Sequence, residues 1–462
     1  MKRVLFIAYF FPPIGATGAM RPLNFCRHLP VHGWLPHVLA TDHPSALPPQ
    51  PLDMKLLDRL PREIAVERVP HANPRGRLLQ VKAKLDGWRK ETARQPELPN
   101  RSSEGGVNEA PNPARSVGWI SKFASGVAEA LFEFPDIQCA WNRPAVRSQV
   151  KKDAGERPDV VWATGGPWTS LLIGQRLARQ WKVPFIADFR DPWIGNNLAS
   201  TRFQRKAARL EQSVCEQAVR IILNTEELCE DFRKRYPSMP EKFMALTNGY
   251  APELEAFYDE LAQTNRSVSA EGTTQNKPFE LCHFGTVYGN RSPIELFRAV
   301  EELACEGLLT PAQLRLRFVG AWDVEEPICQ GLAKSLEERG ILKREPPIPH
   351  RQCLEEMAYA DSLLILQQNF PLQIPAKIYE YIVAGRPLLV IGGEGATANL
   401  VRRNRLGECC PNTVAGIKTM LGKLVGGAHR IQPPLRADVE QFSYRLLSKQ
   451  LADIFDKVTR AA

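Results

Sequence analysis

A chain of 462 residues with 44% apolar and 24% charged residues has the make-up of a soluble globular protein, long enough for two or three domains with substantial cores. Its 60 basic against 51 acidic residues leave a net charge of +9, a modest excess that fits an anionic ligand or an anionic membrane surface better than a nucleic acid, and no RNA- or DNA-binding signature accompanies it. The ten cysteines are scattered without a CxxC pair, which speaks against a disulfide framework and for a reduced, cytoplasmic setting.

At the N-terminus, Met-Lys-Arg and the apolar run 4–11 imitate a signal peptide, but Pro12-Pro13 stops the run and no small-residue cleavage site follows. The stretch therefore reads as the first buried strand of a parallel sheet. No window approaches ~20 uninterrupted apolar residues, so no membrane span is expected. Further strands are predicted at 37–41, 66–69, 159–163, 185–188 and 221–224, with helices at 21–30, 170–180 and 226–235 between them. This βαβ rhythm implies a parallel sheet with helices on both faces. It then repeats, with strands at 281–284, 314–319, 362–366 and 387–391 and helices at 293–305, 325–339 and 351–360.

Three segments break the rhythm. Residues 94–116, rich in Pro, Asn, Ser and Gly, predict a mobile insertion. Residues 119–134 form an amphipathic helix, packed on its own domain or docked on a membrane interface. The polar run 263–276 has the composition of a linker between two α/β halves.

In open α/β sheets ligands sit at the carboxyl ends of the strands, so motifs count most where they fall there. After the first strand, Gly15 and Gly18 allow close backbone approach, and amides opening the next helix can face an anion. The turn lacks GxGxxG and the P-loop lysine, so neither a dinucleotide oxidoreductase nor a P-loop ATPase is supported. After the fifth strand comes Asp188-Phe189-Arg190-Asp191-Pro192-Trp193. Its acids and arginine make either a polar floor for a sugar or a self-satisfied network fixing the turn. In residues 375–390 a helix carries Lys377 and Glu380 on one face, Gly385 ends it, and a buried strand follows. The pair is either a surface ion pair or a holder for a ribose hydroxyl and a phosphate. His350 and Asp361 flank a helix and read as scaffold. No HExxH or acidic cluster implies a metal, and no GxSxG implies a nucleophilic serine.

The 375–390 segment resembles the donor-nucleotide motif of the retaining family 4 glycosyltransferases. That resemblance implies the GT-B fold, in which two Rossmann-like, doubly wound domains face each other across a cleft. Supporting blocks stand in the right order: Pro12-Pro13 with Gly15, Gly18 and Arg21 as an entry loop, Trp162 to Pro167, the Asp-x-Arg-Asp-Pro-Trp block of one branch, and Asn248-Gly249-Tyr250. The implied organisation is an acceptor-side domain at 1–255, a linker at 256–278, a donor domain at 279–438 and a helix at 439–462 that crosses back to the first domain.

The resemblance also carries roles and departures. Counting from Gly285, the family has an arginine and a lysine for the donor diphosphate where this chain has Thr286 and Arg291. Of its two glutamates eight residues apart, Glu380 is kept, to anchor the ribose, and Leu372 replaces the other. Many members carry a histidine where Asp191 falls. By resemblance, Arg291, Lys377 and amides near Gly285 stabilise the leaving diphosphate, with Thr286 beside them. Asp191 and the Gly15, Gly18 loop, with Arg21, Asp188 and Arg190, face the acceptor side of the cleft.

The expected protein is a retaining, metal-independent, hexosyltransferase-type glycosyltransferase. It takes a sugar from a nucleotide-diphosphate sugar as co-substrate, needs no cofactor or metal, and serves surface polysaccharide or glycolipid assembly. Its acceptor is then a glycan or lipid-linked glycan, and its setting is cytoplasmic with peripheral contact to an anionic membrane. The alternatives are a catalytically degenerate binder of sugar nucleotides and a nucleotide-sugar epimerase.

Overall fold

The computed structural model describes residues 1–72, 134–150, 157–195, 204–268, 277–425 and 431–460. Two parallel sheets organise them. The first has seven strands: β1 (Lys2–Ile7), β2 (Trp34–Thr41), β3 (Ala65–Val69), β4 (Val160–Gly165), β5 (Phe185–Phe189), β6 (Arg220–Leu223) and β7 (Phe243–Ala245), in the order β3-β2-β1-β4-β5-β6-β7. The second has six: β8 (Phe279–Phe284), β10 (Leu314–Val319), β12 (Leu342–Glu345), β13 (Ser362–Gln367), β14 (Leu388–Gly392) and β15 (Gly407–Pro411), in the order β12-β10-β8-β13-β14-β15. A two-stranded pair, β9 (Val287–Tyr288) and β11 (Trp322–Asp323), extends the second sheet's loops.

Both orders reverse beside the first strand of the sheet, between β1 and β4 and between β8 and β13, which makes each sheet doubly wound as expected. Strands covered on both faces need apolar residues at every position, and Val4, Leu5, Phe6 and Ile7 are all at most 2% exposed. Successive side chains of one strand enter different cores. Leu5 and Ile7 join the cluster holding Trp168, Phe189 and Phe232, while Val4 and Phe6 join the one holding Phe25, Trp34 and Trp162.

The helix Tyr444–Arg460 completes that second cluster with Leu447, Leu451 and Phe455, so the chain end packs on the first sheet. Phe455 meets Trp34 edge-on at 5.1 Å. On the way back the chain crosses Gly249 so closely that a Cβ there would lie 2.1 Å from the Phe442 carbonyl oxygen, which explains the glycine of Asn-Gly-Tyr.

Several boundaries differ from expectation. The linker drawn at 256–278 is helical over its first part, because the helix Glu253–Val268 runs into it; its Leu254, Phe257 and Tyr258 pack on the second sheet's core. The crossing helix begins at Tyr444, not 439, after the short turns Arg436–Val439 and Glu440–Phe442. Strands β7, β12 and β15 escaped prediction: they are short sheet edges, and β12 carries charges on three of its four residues. The insertion expected at 94–116 and residues 119–133 of the amphipathic helix lie outside the described residues. Among the described residues no helix is long and apolar enough to cross a membrane.

Candidate functional site

On the first sheet's side, the site is built from a buried ion pair upward. Arg21, on the helix Thr17–His28, gives Asp188 a two-pronged bond, Nη2 to Oδ1 at 2.7 Å and Nε to Oδ2 at 3.1 Å. Its remaining hydrogens go to the carbonyls of Leu246 and Thr247 and to Asn248 Oδ1. Thr164 Oγ1 adds a third donor to Asp188 at 2.7 Å. With Arg21 2% and Asp188 0% exposed, neither offers an atom to a ligand, so their expected place in the cleft is corrected to a scaffold that pins the helix to strand β5.

Arg190 is spent in a similar way. Its Nε donates to Gly165 O at 2.9 Å, Nη1 to Gly18 O at 2.8 Å, and Nη2 to Gly166 O. A Cβ on Gly18 would lie 2.6 Å from Arg190 Nη1, so the glycine is what lets this guanidinium clamp the entry loop. Gly15 donates its amide to Pro51 O at 2.8 Å in the same loop. Of the Asp-x-Arg-Asp block, Asp188 and Arg190 thus belong to the self-satisfied network, and Asp191 instead accepts from Gln373 Nε2 of the second half at 2.9 Å. Burial raises the Asp191 carboxyl above the usual range, opposed by Arg190, a hydrogen bond from Gln373 and Arg291.

On the second sheet's side, a cavity of about 170 Å³ lies at the carboxyl ends of β8 and β13, lined by His283, Thr286, Tyr288, Arg291, Pro375 and Lys377 among others. Lys377 opens the helix Lys377–Val383, which Gly385 closes at φ +69°. Its Nζ donates to Phe284 O at 2.9 Å and faces His283 Nε2 at 3.0 Å. Gly285, at φ +115°, passes so near that a Cβ would sit 3.1 Å from Nζ. Burial, with Arg291 adding to it, lowers the Lys377 ammonium to about 7.

Arg291 lies over the rings of Phe370 (5.0 Å) and Tyr288 (5.6 Å), and its buried Nε has no hydrogen-bond partner. Burial lowers its guanidinium, while Tyr288 and Asp191 counter that. The three residues expected to be catalytic are therefore electrostatic neighbours: Asp191 acts on Arg291, and Arg291 on Lys377. Thr286 is exposed at the same cavity. The Gly285 amide, expected to face the diphosphate, donates instead to Val319 O at 2.8 Å and is corrected to a sheet contact.

Glu380 stands three residues after Lys377 and binds His350 Nε2 through Oε1 at 3.0 Å. His350, read as scaffold, thus touches a candidate site residue, and Glu380's hydrogen bond raises its imidazole. Leu372 turns away from any carboxylate role. Its side chain packs against the first sheet's cluster, and its carbonyl accepts from Thr225 Oγ1 at 2.9 Å. Sequence reasoning also missed His283 and passed over Gln373. A histidine inside an otherwise buried strand two residues before a glycine was the available signal for the first; the second had none.

Sheets of this order joined by a returning terminal helix define the GT-B fold, and solved structures bear that out. The chain is similar to Anabaena Alr3699/HepE in complex with UDP, at 14% identity and TM-score 0.58 over 99% of this chain and 100% of that one. It is also similar to the sucrose-phosphate synthase of Thermosynechococcus elongatus, at 14% and 0.58 over all of both chains. A third likeness is to the lipopolysaccharide outer core galactosyltransferase WaaB in its apo form, at 12% and 0.56 over 99% and 100%. The model of the glycosyl transferase 4-like domain matches residues 18–249, half of the chain, and the protein belongs to that family. No curated protein matches it.

Proposed function

We propose that this protein is a retaining, metal-independent glycosyltransferase that moves a sugar from a nucleotide-diphosphate sugar to an acceptor hydroxyl. The observation that carries the reading is the pair of cations, Arg291 and Lys377, on one cavity at the carboxyl edge of the second sheet, with Glu380 on the same helix as Lys377. Two fixed cations in a partly desolvated site stabilise the charge that gathers on a leaving diphosphate as the glycosidic C–O bond breaks. Glu380 anchors the ribose and so places the donor. The acceptor oxygen then attacks the anomeric carbon on the leaving group's face, and its proton passes to a phosphate oxygen. Asp191, whose charge acts on Arg291, is read as facing the acceptor. The acceptor is read as a glycan or lipid-linked glycan of a surface polysaccharide or glycolipid.

Leu372 favours one second reading, a binder of sugar nucleotides without turnover, because its packing leaves no carboxylate at the family's sugar-contacting position. Calorimetric titration of UDP, GDP, ADP and dTDP into wild type and Glu380→Ala tests the donor site. One nucleotide binding to the wild type and weakened at least tenfold in the variant supports it; no nucleotide binding to the wild type refutes it. Turnover with the sugar nucleotides of the bound base then separates transferase from binder.

A further inference from the structure

The proposed donor site leaves the role of His283 open. We propose that His283 is a positioning residue for Lys377: its Nε2 lone pair accepts one hydrogen of the amine, so that another stays aimed into the cavity for a diphosphate oxygen. This rests on the donor site proposed above.

The hydrogens can be counted. His283 is 4% exposed on strand β8, and its Nδ1 lies 3.0 Å from Leu364 O. A carbonyl accepts and cannot donate, so Nδ1 carries the proton and, in the neutral ring, Nε2 is left with a lone pair. That lone pair faces Lys377 Nζ at 3.0 Å. Burial, then the nearby Lys377 charge, holds the imidazole well below its ordinary value, which keeps the lone pair in place.

An ammonium has three hydrogens. His283 Nε2 takes one and Phe284 O a second, at 2.9 Å. The third has no protein acceptor among the bonds described for Nζ, and Lys377 lines the cavity. The imidazole plane is itself fixed, by Leu364 O at one edge and by Phe318 at a ring-centre distance of 5.4 Å. The charged groups facing the pair are few. Arg291 acts on both members, and Asp191 stands beyond it beside Arg291. Tyr381 also donates to the Phe284 carbonyl, at 3.1 Å, so that oxygen alone is a shared anchor for the amine.

His283→Phe keeps a flat ring and removes the acceptor; His283→Gln restores one. The first readout is the pH dependence of acetic anhydride labelling at Lys377 in the ligand-free protein, followed by mass spectrometry. Losing an acceptor disfavours the ammonium, so the labelling midpoint should fall by about one pH unit in His283→Phe and return toward wild type in His283→Gln. The second readout is calorimetry with UDP, GDP, ADP and dTDP. His283→Phe should weaken the nucleotide that binds best by about tenfold and leave the matching nucleoside unchanged. Thermal melting checks the fold, and His283→Leu replaces the Phe variant should the larger ring unfold it. Identical Lys377 midpoints in wild type and in the variant lacking the acceptor would overturn the proposal. Nucleotides failing to bind wild type would instead overturn the donor site, and the Lys377 midpoints would still decide what His283 does.

Discussion

Gln373 Nε2 donates to Asp191 Oδ1 at 2.9 Å, and this bond ties the second half of the chain to the first. Two neighbours hold the same seam: Thr225 Oγ1 on Leu372 O at 2.9 Å and Asn399 Nδ2 on Glu227 Oε1 at 2.7 Å. Asp191 needs such a donor. Burial works against its charge, and Arg190, Gln373 and Arg291 together recover only part of that cost. The charge of Asp191 on the first half is thus favoured by an amide that the second half supplies.

Gln373→Leu should separate binding from turnover. The variant fills the same space and leaves Asp191 Oδ1 without its donor, a loss of about 1–3 kcal/mol for a partly buried acceptor. The nucleotide contacts assigned to Arg291, Lys377 and Glu380 are untouched. Nucleotide affinity by calorimetry should stay within about threefold of wild type, because none of those contacts changes. Transfer should fall by at least tenfold, the equivalent of ~1.4 kcal/mol. Equal loss of affinity and turnover would show that the bond holds the donor site itself together.

Lys377 sets a pH dependence whose sign differs for binding and for stability. Burial lowers its ammonium from 10.5 to about 7, so the free protein loses that charge as pH rises through neutrality. A diphosphate stabilises the ammonium, so binding at higher pH takes up a proton. Affinity should fall by up to about tenfold per pH unit above 7. For stability the folded value lies below the unfolded one, and the unfolded chain holds more protons between about 7 and 10.5. The Lys377 contribution to stability therefore rises with pH across that window. Calorimetry between pH 7 and 9, in buffers of different ionisation enthalpy, reads the proton uptake directly; Lys377→Met should abolish it. Uptake that persists in Lys377→Met would assign the proton elsewhere.

Much of this was legible in the sequence because parallel strands buried on both faces write themselves as continuous apolar runs: β1 and β13 needed no partner to be recognised. The edges were not legible. Strand β12 reads Leu-Lys-Arg-Glu and is held by its pairing with β10. Glu253–Val268 reads as polar toward its end, yet Leu254 and Phe257 anchor it as a helix. Within the site, Lys377 and Glu380 stood out because their spacing is local, and Arg291 through the resemblance. Arg21 and Asp188 did not declare each other, since 167 residues separate them and only the folded sheet makes them a pair. His283 did not declare its role either, since its partner Lys377 lies 94 residues on.

Leu372 gives the sharpest test of whether the departure from the family's second glutamate is a defect or a fitted part. A defective site should be repaired by Leu372→Glu. The packing argues otherwise, because the side chain lies against the apolar cluster of the first sheet, which includes Trp168, Phe189 and Leu228. A carboxylate there must either give up its water or push the two halves apart, and the backbone bond from Thr225 to the Leu372 carbonyl holds the residue where it is. Leu372→Glu should cost about 1–3 kcal/mol of stability and raise neither nucleotide affinity nor transfer. Leu372→Met, of nearly equal volume, should cost less than about 1.5 kcal/mol and leave both unchanged. Denaturant unfolding and turnover of the two variants decide it. Turnover restored by the glutamate at undiminished stability would mean that the leucine marks a lost function, and that its contact with the first sheet filled the space afterwards.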